Sequence, residues 1–140
     1  MQQAQVTVEA TRRDAARLAD DLWKMAVKWD SFARESVAIP LVAAMDRVGM
    51  AVAVAATEAD QALVEESLRR ARAGLREAAF LLWRARDRAL VSGAGFERFA
   101  ARMARLEAQL DACLEKARRR IGEQAAAQSW PGRAKRPSLR

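Results

Sequence analysis

The sequence predicts an all-α fold, an antiparallel up-down-up-down four-helix bundle with a disordered basic C-terminal tail. Three observations carry that prediction. First, apolar residues recur in alternating steps of three and four along most of the 140 residues, the spacing of one helical face. Second, Ile39 to Thr57 (IPLVAAMDRVGMAVAVAAT) holds only two charges, Asp46 and Arg47, so it reads as a central helix covered nearly all round. Third, the chain has no tyrosine and only three prolines, and alanine, arginine and leucine dominate; β-branched and aromatic residues are too few for a sheet.

The first helix is expected over about Val8 to Glu35. Val8, Thr11, Ala15, Leu18, Leu22, Met25, Trp29 and Phe32 form its seam. Thr7 suits the N-cap, where its hydroxyl accepts a free backbone N–H. Ser36 to Ile39 then connects to the second helix, whose first position suits Pro40 because an N–H there has no partner anyway. Leu41, Met45, Val48, Val52 and Ala55 face the core. Between Ala59 and Val64 the apolar register slips by one, which reads as a short turn with Asp60 capping the third helix; a continuous kinked helix is the alternative. Val64, Leu68, Ala71, Leu75, Ala78, Leu82, Ala85 and Ala89 hold the third helix without a break, a rod of about 45 Å. Ser92 caps the fourth helix, with Val91 stapled against Phe96. Phe99, Met103, Leu106, Leu110, Cys113 or Leu114, Ala117 and Ile121 continue to an end near Gly122. Residues 1–122 thus form the bundle. Residues 123–140, where the period is lost and Pro, Gly and Ser appear, form a flexible basic tail.

Charge and composition bound the function. The chain carries 25 basic and 18 acidic residues, and four of the excess positive charges (Arg133, Lys135, Arg136 and Arg140) fall in the tail. A basic surface attracts nucleic acid or an acidic partner. The single cysteine, Cys113, forms no internal disulfide, which points to a reducing, cytoplasmic compartment. Residues 1–20 lack the apolar stretch of a signal peptide. Residues 36–57 are long enough to span a membrane, but two mid-segment charges at about 2.5–3.5 kcal/mol each argue for a buried bundle helix and no membrane. With no histidine, the usual general base, zinc ligand and Glu-x-x-His di-iron pair are missing. Ser92-Gly-Ala-Gly95 lacks the lysine and preceding strand of a phosphate loop. These absences point to no catalytic residues, no metal and no cofactor, and Cys113 reads as a core thiol. Of the tryptophans, Trp29 falls in a seam, Trp23 and Trp83 flank core positions, and Trp130 lies in the tail, either without fixed contact or against a partner.

The remaining candidates are rows of positive charge. Arg13, Arg17, Lys24 and Lys28 share a face of the first helix. Arg69, Arg72 and Arg76 make one row on the third, with Arg84 and Arg88 beyond. Arg98, Arg102 and Arg105 line the fourth. Arginine suits phosphate because its planar fork donates two parallel hydrogen bonds. The bland reading is a solvated face partly neutralised by Glu65, Glu77, Asp87 and Glu107.

LWKMA at 22–26 resembles the start of a bacterial four-helix-bundle family. AVAVAATEA at 51–59 is similar to its second helix, and LREAAFLLWRARDRALVSGAGFERF at 75–99 to its third helix, turn and fourth-helix start. Leu75, Glu77, Leu82, Ala85, Asp87, Ser92 and Phe96 fall where the family has similar residues, and the likeness covers roughly residues 18–120. Ala55, Thr57 and Gln61 stand where the family often has Pro, Asn and Gly. The family comprises the ribosomal RNA intervening-sequence proteins and the accessory variability determinant of diversity-generating retroelements. The resemblance implies a homopentameric barrel of bundles. In the retroelement branch, which the arginine rows fit better, it implies a basic exterior that binds a reverse transcriptase and its template RNA. The expectation is therefore a non-catalytic, oligomeric accessory protein binding RNA or DNA through the phosphate backbone. The alternative is a helical adaptor that contacts only proteins.

Overall fold

A repeating apolar step obliges each helix to bury one stripe, and the computed structural model, which describes residues 6–129, does this with four helices and no strand among those residues. They are α1 (Val8–Ala26), α2 (Ser31–Thr57), α3 (Gln61–Asp87) and α4 (Gly93–Ser129). α1 packs on α2 and α4, α2 on α3, and α3 on α4, so each helix has two neighbours around one core.

α1 begins as expected. The Thr7 hydroxyl accepts the Ala10 amide at 3.0 Å, and Thr11, Ala15, Leu18 and Leu22 are buried. Its end differs. The helix stops at Ala26, and Val27 to Asp30 form the turn that the sequence places at Ser36 to Ile39. The cause is Asp30, whose carboxylate accepts the Ala33 amide at 2.9 Å and starts a new helix there. Trp29 is consequently half-buried in the turn, packed against the core edge. Phe32, expected in the seam, is 81% exposed.

Pro40 is then not the first residue of a helix but lies well inside α2. It cannot donate to the Ser36 carbonyl, and its ring crowds that carbonyl in a regular helix. A π turn over Arg34–Ala38 resolves the conflict, with the Ile39 amide donating back five residues to the Arg34 carbonyl. Beyond it Leu41, Ala44, Met45, Val48, Val52 and Ala55 are buried and form the centre of the core. α2 is long and apolar enough to cross a membrane, yet this stripe is occupied by the other helices. The covering is one-sided: Ile39, Met50 and Val54 are exposed, contrary to a helix enclosed all round.

The turn before α3 is where the register slip puts it. Asp60 accepts the Ala62 amide at 2.9 Å, so the kinked-helix alternative does not hold. α3 lies close to α2 because Gly74 faces it: a Cβ there would stand 3.1 Å from Val48 Cγ2. Val64 through Ala85 are buried in the expected register, but Ala89 lies past the helix end with φ 57°. There it closes the helix, its amide donating to the Arg86 carbonyl and the Leu90 amide to the Ala85 carbonyl, each at 2.9 Å. Ser92 caps α4 through the Gly95 amide at 3.0 Å, and Val91 and Phe96 both pack on the core.

α4 does not end near Gly122. It runs on to Ser129: EQAAAQ is a helix-favouring run, and Gly122 lies in open space where its helical conformation costs little. From Arg118 onward its residues are exposed apart from half-buried Ile121, but Arg118 Nε still reaches Glu65 of α3 at 3.2 Å, so the bundle proper ends near Ile121. The rest of the proposed tail, with Trp130 and its four basic residues, lies outside the described residues.

Candidate nucleic-acid interface

α1 and α4 lie side by side with numbers that rise on one as they fall on the other. Arg102 bridges Asp21 at 2.8 Å, Gln109 donates to Asp14 at 2.8 Å, and Thr11 Oγ1 lies 3.8 Å from Cys113 Sγ. This register puts Arg105 level with Arg17 and Arg98 level with Lys24. Arg17, Arg102 and Arg105 line one open groove of about 410 Å³, floored by Leu18 and Leu106. Arg13 and Lys24 continue the α1 row by helical spacing, and Arg98 continues the α4 row. Lys28 does not belong to that row, because it sits in the turn after Ala26.

The α3 row has a different character. Arg69 pairs with Glu65, Arg72 reaches Asp111 at 3.1 Å, and Arg76 reaches Glu107 at 3.4 Å. Arg84 is paired with Asp87 at 3.3 Å. Arg47, on α2, binds Glu77 at 2.8 Å. These carboxylates neutralise the row and tie α3 to α2 and α4. Each exposed pair contributes little, about 0–1 kcal/mol. Of the twelve candidate cations, Arg13, Arg17, Lys24, Lys28, Arg88, Arg98 and Arg105 make no ion pair among the described residues. Six of the candidates therefore flank the α1–α4 groove, where only Arg102 is neutralised.

An aromatic cluster supplies a feature that composition did not reveal. Trp83 meets Phe96 edge to face, 5.8 Å between centroids at 84°. The Arg86 guanidinium lies 5.4 Å from the Trp83 ring and 4.7 Å from the Phe96 ring. The helical positions Trp83 and Arg86 are visible in the sequence, but Phe96 comes from the next helix. Cys113 is buried, and burial pushes its thiol up from the ordinary value, against smaller opposing effects of the Thr11 hydroxyl and Lys116. A thiol so held keeps its proton and is a poor nucleophile. No family model, curated protein or solved structure matches the chain.

Proposed function

We propose that this chain is a non-catalytic, oligomeric nucleic-acid-binding accessory protein of the cytoplasm, built as an up-down-up-down bundle. The observation that carries the reading is the α1–α4 groove, lined by Arg17 and Asp14 on one side and Arg102 and Arg105 on the other, with the basic rows extended by helical spacing to Arg13, Lys24 and Arg98. Guanidinium groups along such a groove bind phosphate oxygens and read no base, so affinity depends on salt and little on sequence. The resemblance of residues 18–120 to the retroelement accessory family supports a reverse transcriptase and its template RNA as the partners, and five subunits as the assembly. Repeating the groove around a ring multiplies a modest charge into a strong field.

The outer face of α2 and the end of α1 support self-association. Trp23, Val27, Ile39, Met50 and Val54 are exposed there. Trp23, Val27, Ile39 and Val42 also line an open, mainly apolar hollow of about 500 Å³. Apolar surface of this kind marks interfaces.

Fluorescence anisotropy of labelled RNA across a salt series tests binding, and light scattering gives the subunit number. Steep weakening with salt and a discrete oligomer are expected; no binding to RNA or DNA even in low salt rejects the reading. The same apolar face favours a second reading, a helical adaptor that contacts only proteins. That reading predicts a stoichiometric complex surviving nuclease and high salt.

A further inference from the structure

We infer that the outward face of α3 around Phe80 and Trp83 is a stacking platform for unpaired nucleobases, which makes the chain prefer single-stranded RNA over duplex. The inference rests on the nucleic-acid reading above and names the form of the ligand.

Phe80 is 64% exposed and Trp83 is 54% exposed, nearly one turn apart on the same helix. Phe80 stands at the middle of the solvent face, opposite the buried Ala78 and Leu82 stripe. Trp83 is open but not loose. Its edge-to-face contact with Phe96 and the Arg86 guanidinium beside both rings fix the indole while leaving much of it uncovered. Beside Trp83 a shallow groove of about 180 Å³ runs between α3 and α4 over Ala79, Ala100 and Met103. A base laid on the rings has room at its edge.

Charge selects the occupant. Arg76 and Arg84, one turn to either side of Phe80, are engaged by Glu107 and Asp87, whereas Arg86 beside the rings and Arg88 beyond them make no ion pair among the described residues. A second copy of this chain docking here face to face would set these guanidiniums against their own kind. A polyanion with exposed π-faces matches both the rings and their rim. Duplex RNA keeps its base faces stacked inside the helix and offers only phosphate and sugar to such a surface, whereas single strands and loops present them.

The test measures anisotropy of a labelled unstructured RNA and of a blunt duplex of equal length, with wild type, Phe80→Leu and Trp83→Leu. Phe80 is mostly solvent-facing, so Phe80→Leu serves as the variant that keeps the fold if Trp83→Leu does not. Each variant is expected to weaken single-strand binding by about tenfold, from the worth of one base–aromatic stack. Duplex binding and its salt dependence stay as in wild type. Equal affinity for both RNAs, unchanged by Phe80→Leu, overturns the platform and leaves the charge-only reading intact. A change of subunit number in Phe80→Leu also overturns it, since the face then belongs to an assembly contact. Absence of binding to either RNA removes both readings together.

Discussion

At the residue scale the plainest strain sits at Ala89. A left-handed φ of 57° brings its Cβ toward the next carbonyl, a conformation that costs an alanine about 1–2 kcal/mol and a glycine nothing. Ala89→Gly is therefore expected to raise stability by about 1 kcal/mol in urea unfolding, after the entropy of a freer unfolded chain is set against it. An equal or lower midpoint contradicts this account of the turn. Cys113 gives a second residue-level expectation. Its thiol is pushed above the ordinary thiol value in the fold by burial, so the unfolded chain loses that proton first. Stability then falls as pH climbs through the ordinary thiol range, and Cys113→Ala should remove that part of the decline. Alkylation of native protein should be slow until urea opens the core. The cation–aromatic trio of Trp83, Arg86 and Phe96 shows why single residues were hard to read: two of its members are three apart on one helix, and the third arrives from another.

At the scale of elements, Gly74 sets how near α2 and α3 approach. A leucine there drives a side chain into Val48 Cγ2 and the Ala44 carbonyl. Gly74→Leu is expected to cost about 1–3 kcal/mol by overpacking, read as a lowered denaturation midpoint. Much of this level was legible in advance. Val64, Leu68, Ala71, Leu75, Ala78 and Leu82 keep one stripe, Asp60 marks the slip before it, and Ser92 caps α4. The first boundary was not, for a physical reason. Trp29 and Phe32 continue the step of α1 by coincidence of spacing, and Pro40 imitates a helix start that the π turn makes unnecessary. The break itself rests on one carboxylate, Asp30. Gly122 misleads in the opposite direction: its cost, about 1 kcal/mol against alanine, is too small to stop a helix that needs nothing around it. Which arginines are neutralised was also hidden, because Arg72 and Asp111 are far apart in sequence and meet only after α3 and α4 pack.

For the whole molecule, two surfaces divide the work that remains after the core is filled. Reversing Arg17 and Arg105 together to glutamate should lower the slope of log affinity against log salt by about one per lost phosphate contact. An unchanged slope would place the phosphates elsewhere. Met50→Glu, on the uncovered side of α2, should instead shift light scattering toward the monomer without touching that slope; an unaltered mass would mean that this side faces water in the assembly too. Finally, α4 is 37 residues long, about 55 Å, and its last eight residues run on past half-buried Ile121 at the end of the bundle. The particle is consequently a block with a mast. A fluorophore attached at Ser129 would ride about 12 Å clear of the block, giving distance measurements a vantage point that disturbs neither flank.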